Sequence, residues 1–262
     1  MPIADSLTSI RYLLTDVDDT LTTDGRLLPE TLAALYRLSD AGIEVIPVTG
    51  GCAGWCDQMI RLWPVSAVIG ENGAFYFERS SNGKVKTHSW DTAEIQFASQ
   101  KRLLSIADNA MARVPALRLA KDQAYRLSDV ALDHGQDAHG ISTEDIDRAL
   151  TTFREAGANA RASSIHINAW FGDYSKQAMA QRLLQQKYDL DTPSIQRHVA
   201  FVGDSPNDES LFAYLTHTFG VANIGRWLDR MTYHPRHILA QRGGIGFTEL
   251  ASLLLQAQRP DS

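Results

Sequence analysis

The stretch Ile10-Arg11-Tyr12-Leu13-Leu14-Thr15-Asp16-Val17-Asp18-Asp19-Thr20 decides the fold. Residues 10–14 form a short, mostly apolar run, the pattern of a strand buried on both faces. The run ends in three acids within four positions, Asp16, Asp18 and Asp19. An open parallel sheet binds its ligands beyond the carboxyl ends of its strands, so these acids are predicted to stand in that crevice. Packing like charges together is unfavourable unless a cation or a reaction uses them. An acidic surface turn explains one or two such acids, but not an apolar strand that delivers all of them to one sheet edge.

Outward from this stretch, Pro29 opens a helical pattern carrying Leu32, Leu35 and Leu38, and Gly42 closes it. Residues 43–48 read as a second strand ending at Thr49-Gly50-Gly51, and a helix runs on through Met59 and Leu62. Residues 65–69 form a third apolar run, ending Gly70-Glu71-Asn72-Gly73. This alternation predicts a right-handed βαβ sheet. The rhythm then changes. Residues 74–77 and 84–87 alternate around a Ser80-Ser81-Asn82-Gly83 turn. A long helix is predicted over about residues 91–114, with Ile95, Leu103, Ile106 and Ala110 on one face. Residues 125–132 read as a strand and 133–140 as a polar loop. Ser142 and Asp145 suit the cap of a helix ending near Gly157, and residues 158–162 and 165–170 read as paired strands. After Phe171 the parallel rhythm resumes: a helix with Lys176 near its start, then a strand over 199–202 ending Gly203-Asp204-Ser205-Pro206-Asn207-Asp208. A helix over 209–215, short strands near 219–222 and 238–240, and a closing helix over 247–255 complete the chain. The expected fold class is α/β: a Rossmann-like parallel-sheet core from residues 1–82 and 172–262, with an inserted α+β cap domain over 83–171.

The 262 residues carry 25 Lys and Arg against 31 Asp and Glu, a net charge of −6. No basic stripe stands out, so no nucleic-acid partner is expected. The first residues lack a signal-peptide pattern and no apolar run reaches membrane-spanning length, so a cytoplasmic protein, monomer or weak homodimer, is expected. Cys52 and Cys56 lack the further ligands of a zinc site and read as reduced, partly buried thiols.

Three strand ends converge in this reading, supplying Asp16 and Asp18, then Thr49, then Asp204 and Asp208, with Lys176 beside them. Such a set suits phosphoryl transfer through an aspartyl-phosphate. Asp16, at the strand end, is assigned the attack on phosphorus. Asp18, two residues on, is assigned proton transfer to the leaving oxygen and then from water. Mg2+, a hard cation preferring oxygen, would be held by Asp16, the Asp18 backbone carbonyl, Asp204 and Asp208. Thr49 and Lys176 hold phosphate oxygens. Candidate substrate contacts are Gly50, Asn72, His166, Asn168 and Asn207, the last shaping its loop without reacting.

Asp16-Val17-Asp18-Asp19-Thr20, Thr49-Gly50-Gly51, Lys176 and Gly203-Asp204-Ser205-Pro206-Asn207-Asp208 resemble the four motifs of the haloacid dehalogenase superfamily of phosphohydrolases. The Asn72-Gly73-Ala74 step and the late insertion look like its subfamily IIB, the Cof-type and sucrose-phosphatase-like branch with a large α/β cap. The resemblance implies a Mg2+-dependent phosphatase of a small phosphorylated metabolite, a sugar phosphate above others, with Asp16 as nucleophile and Asp18 as acid and base. A phosphomutase is the alternative enzyme, and a non-hydrolytic phospho-receiver module the alternative of another class. The family often has glycine where Asp19 stands, so this extra acid is expected to point away from the phosphate.

Other features invite less. Asp133, His134, Asp137 and His139 sit in a loop without ligand register and are expected to be solvated. His166 and Asn168 alternate on one strand face, suiting either a leaving-group contact or backbone satisfaction. Arg126 and Lys121 are of a type that meets anionic substrates, although basic cap residues are more often surface. The tryptophans, Trp55, Trp63 and Trp90 among them, are expected to pack.

Overall fold

The computed structural model describes residues 7–258. Strand β1 (Tyr12–Thr15) lies inside a five-stranded parallel sheet, between β12 (Val199–Gly203) and β4 (Glu44–Pro47). The remaining strands follow beyond β12 as β13 (His217–Gly220) and β14 (His237–Ile238). The apolar run explains the central place of β1: Leu13 and Leu14 point to opposite faces, and each needs its own cover. Leu13 packs with Leu35 and Leu38 of α1 (Pro29–Asp40) and Phe247 and Leu250 of α8 (Gly243–Ala257). Leu14 packs with Met179 and Leu183 of α5 (Lys176–Tyr188) and Ile195 of α6 (Thr192–His198). The result is a sheet covered by helices on both faces, the α/β class expected.

A parallel bridge between Val48 and Ile69 sets β5 (Ala67–Gly70) beside the end of β4. From β5 the sheet continues antiparallel through β6 (Phe75–Arg79) into β7 (Val85–Ser89). The boundary expected at residue 83 would have put β7 in the cap. A tight turn over 80–83 instead returns the chain alongside β6, so β7 stays with the core sheet. Helix α2 (Ala53–Leu62) joins β4 to β5.

The inserted region is a four-stranded antiparallel sheet, in the order β10 (Asn159–Ala162), β11 (His166–Trp170), β9 (Val130–Asp133), β8 (Arg118–Leu119). Helices α3 (Ala93–Arg113) and α4 (Thr143–Glu155) bury Leu103, Ala107, Ala149 and Phe153 against it in a separate apolar cluster. Ser142 and Asp145 cap α4 reciprocally, as expected. Three details differ from expectation. The strand expected from residue 125 begins only at Val130, because 121–125 form a 3₁₀ turn and 126–129 make the polar contacts to the core described below. Ile95 lies on the exposed side of α3, about two turns before the apolar stripe begins at Leu103. Helix α6 and a two-stranded hairpin, β2 (Thr22–Thr23) with β3 (Arg26–Leu27), were not legible in the pattern because each is too short to show a period. Glu209–Tyr214 forms α7. Trp63 and Trp90 pack at the edges of the core as expected, whereas Trp55 is 54% exposed. Cys52 and Cys56 are free and buried.

Candidate active site

Asp16 follows β1 directly, its amide donating to Val202 O at 2.9 Å, so the ladder with β12 fixes where its side chain starts. Lys176, first residue of α5 and only 2% exposed, places Nζ 2.7 Å from Asp16 Oδ1 and 2.8 Å from Asp208 Oδ1. Asp208 is committed on both oxygens: Oδ2 accepts the amides of Asp204 and Ser205 at 3.0 and 3.2 Å, which shapes the turn after β12. Gly203 is required there, since a Cβ would overlap the Asp208 carboxylate. Asp204 accepts from Asn223 Nδ2 at 2.9 Å and faces Arg226 at 3.7 Å.

Asp16, Asp204 and Asp208 each bring a carboxylate oxygen within 4.8 Å of the others, all three buried. Burial pushes Asp16 up to about 7, Lys176 pulls it back, and the neighbouring Asp208 and Asp18 push it further. Asp204 is likewise raised well above the carboxylate range by burial and by Asp16 and Asp208. Three buried hard oxygen donors, of which Asp16 and Asp204 resist ionising, fit a divalent cation such as Mg2+. The Asp18 side chain is outside the trio. Burial first, then the charge of Asp19, raises Asp18 to about 6, against Lys176 and Arg126.

Asp19 adopts a left-handed φ of 57°, the conformation that glycine takes at least cost and the physical reason glycine suits this position. Its carboxylate faces Arg226 at 3.6 Å. Thr49 is buried after β4, its amide donating to Ile69 O at 2.9 Å and its Oγ1 accepting from Gly51 N at 2.9 Å. Asn72, with φ of 57°, accepts from Asn207 Nδ2 at 2.8 Å, while its own Nδ2 is buried with no partner.

Two cap residues complete the wall. Asn168 Nδ2 donates to Asp129 Oδ2 at 3.0 Å and to Gly50 O at 3.4 Å. His166 has an unpartnered Nε2, and burial together with Arg126 lowers its pKa to about 4, which keeps the ring neutral. Asp16, Asp18, Gly50, His166, Asn168, Asp204 and Asn207 line one niche of about 10 Å³. Asp18, Thr49 and His166 also line an adjoining cleft of about 720 Å³ that reaches Trp55 and Arg226. Beside this niche Lys176 bonds Asp16 and Asp208, Asn72 bonds Asn207, and Thr49 lines the adjoining cleft.

Other participants were missed or discounted. Arg126 is not a surface cation: its guanidinium is 0% exposed, paired with Asp129 at 2.9 Å and Asp122 at 3.0 Å, and Nη1 donates to Gly50 O at 2.9 Å. Glu71 is fully buried and accepts four amides, Ala53 from the core and Leu127, Ser128 and Asp129 from the cap. The sole sequence hint was its place between Gly70 and Asn72. The 133–140 loop is ordered by Asp133, which is buried at the end of β9 and not solvated, its carboxylate accepting amides from Gly135, Gln136, Asp137 and Ala138.

The profile of the haloacid dehalogenase-like hydrolases matches residues 13–228. No curated protein sequence matches the chain. Among solved structures, protein 0175 of Thermoplasma acidophilum superposes with a TM-score of 0.70 at 18% identity, covering 94% of this chain and 98% of that one. The sucrose-phosphatase of Synechocystis sp. PCC6803, solved with sucrose and phosphate, gives 0.66 at 16% identity over 94% and 98%. The subclass IIB sugar phosphatase BT4131 gives 0.60 at 12% identity over 94% and 98%. Matched by the family profile from β1 to beyond β13, the chain belongs to the haloacid dehalogenase-like hydrolases and has the fold of their subclass IIB.

Proposed function

We propose that the protein is a phosphatase that hydrolyses a small phosphate ester, a sugar phosphate, through an aspartyl-phosphate on Asp16. The observation that carries the reading is the Lys176 ammonium held between Asp16 and Asp208 at 2.7 and 2.8 Å, with Asp204 beside them. Lys176 pulls the Asp16 pKa back against burial and so favours the carboxylate, whose oxygen attacks phosphorus while the P–O bond to the leaving group breaks. Asp18, with a pKa raised to about 6, gives its proton to the departing oxygen. It then takes a proton from the water that attacks the phosphoryl group, which restores Asp16. Thr49 Oγ, the Gly50 amide and the Asn72 Nδ2 hydrogens supply donors for the other phosphoryl oxygens. Mg2+ held by Asp16, Asp204 and Asp208 would neutralise charge on the transferring group.

The leaving group belongs in the adjoining cleft. Leu27, Trp55, Met59 and Trp63 give it apolar wall, and Gln58 and Gln136 give it amides. Asp18, Asp19, Asp24 and Asp122 line it against one cation, Arg226. This acidic, amide-bearing wall disfavours a second anionic group and favours an uncharged polyol. Sucrose-phosphatase and a sugar phosphatase as fold neighbours support the same class. The niche at the acids admits about one water-sized sphere as the cap lies here. Access of an ester therefore needs the cap to lift and return, excluding bulk water during transfer.

The test is a panel of neutral-sugar phosphates, sugar bisphosphates and phosphorylated sugar acids, followed by inorganic phosphate release with Mg2+. The reading expects the neutral sugars to turn over fastest, with Asp16→Asn inactive. Accumulation of an isomeric ester instead of phosphate would identify a mutase.

A further inference from the structure

The phosphate-holding turn is gripped from the cap side. Thr49 Oγ1 accepts the Gly51 N–H at 2.9 Å, so the hydroxyl's own proton is free to be donated elsewhere. That N–H shares a peptide unit with the Gly50 carbonyl. The carbonyl in turn accepts from Arg126 Nη1 at 2.9 Å, across 76 positions of sequence. Arg126 is held rigidly. Asp129 and Asp122 pair with its guanidinium at 2.9 and 3.0 Å, and Asn168 braces both Asp129 and Gly50. The backbone that follows Arg126 is pinned by Glu71, which bonds the amides of residues 127, 128 and 129.

We propose that Arg126 is a positioning residue for phosphoryl transfer, acting through the 50–51 peptide on Thr49. A charged donor on the Gly50 carbonyl fixes the plane of this peptide and polarises it, which strengthens the Gly51 N–H as a donor. The stronger that bond, the more firmly the Thr49 oxygen is held as an acceptor and its proton aimed into the niche. Because Arg126 comes from the cap and Thr49 from the core, seating of the cap completes the donor set around the phosphoryl group. Arg126 itself need not touch the substrate. This inference rests on the phosphatase reading above.

A double-mutant cycle tests it, with phenyl phosphate as substrate so that sugar contacts play no part. The perturbation is Arg126→Gln combined with Asp129→Asn, which removes the guanidinium together with its closest buried partner. In the Thr49 protein, kcat is expected to fall about tenfold to a hundredfold with little change in KM, the scale of a lost charge-assisted hydrogen bond. In the Thr49→Ala background the same change should cost less than about threefold, because the group through which Arg126 acts is gone. Equal losses in both backgrounds, or a loss in KM alone, would overturn the proposal and leave Arg126 a cap anchor. Arg126→Lys, which keeps the buried charge, gives a second perturbation with the same expected pattern should the first unfold. A wild-type protein that releases no phosphate from any ester overturns the phosphatase reading itself, and is seen before any variant is compared.

Discussion

Replacing Glu71 by glutamine changes one atom and probes how the cap is tied to the core. Glu71 Oε1 accepts the amides of Ala53 at 3.2 Å and Leu127 at 2.8 Å, and Oε2 those of Ser128 at 2.7 Å and Asp129 at 3.2 Å. Burial and the charge of Asp129 raise the Glu71 pKa to about 8, although Arg126 and the amides pull it back. The geometry favours the ionised form, since a proton on either oxygen would confront two N–H donors. Glutamine keeps one accepting oxygen and sets an NH2 against the other pair. Two buried amides then lose their acceptor, at about 1–3 kcal/mol each, so the expected loss is about 2–6 kcal/mol. That is a large part of the ~5–15 kcal/mol that holds a typical domain folded. The assay is urea unfolding at about pH 9, above the raised pKa of Glu71, followed by signals from both the core and the cap, with midpoints compared at equal slope. Because Glu71 joins two apolar clusters, the variant is also expected to unfold in less coincident steps. A loss under about 0.5 kcal/mol would refute the reasoning, for it would mean that Glu71 is already protonated and glutamine merely copies it.

Lys176→Met leaves Asp16 and Asp208 buried without their cation, and turnover should fall by about a hundredfold to a thousandfold, read as initial phosphate release. The metal-free protein should lose stability as pH rises between about 6.5 and 7.5. In that window Asp16, raised to about 7, and Asp204, raised well above its usual value, bind more protons folded than unfolded, while the opposing effect of His166, His134 and His217, whose unfolded rings titrate at about 6.5, fades. Melting temperature against pH with EDTA checks this, and added Mg2+ should flatten the slope. Asp19→Gly places the favoured residue at a left-handed φ and removes a charge that raises Asp18, so the Asp18 limb of the pH–rate profile should move to lower pH.

The sheet and its acids were legible because their signals are local. An apolar run ending in Asp16, a second ending in Thr49 and a third ending in Asp204 each announce a strand and what stands at its carboxyl end. Topology then does the gathering, since parallel strands share one edge. The cap-to-core network was not legible for the opposite reason. Glu71 meets amides some 56 to 58 positions away, and Arg126 meets a backbone carbonyl, so neither leaves a pattern of residue types. Taken singly, Arg126 reads as surface charge, and its burial with Asp122 and Asp129 follows from a packing of cap against core that no periodicity encodes. Strand β7 was misplaced by a few residues because alternation marks a hairpin without saying which sheet it extends. Trp55 shows the limit of composition, as an aromatic on α2 is equally consistent with the core and with a cleft wall.

The most direct measurement is to mix the protein with Mg2+ and phenyl phosphate, quench in acid within a single turnover, and locate any phosphoryl group by mass along the digested chain. A phosphoryl adduct on Asp16 that forms before phosphate is released, and that Asp16→Asn lacks, is the predicted result. An adduct on any other side chain, or unimpaired turnover by Asp16→Asn, would contradict the account.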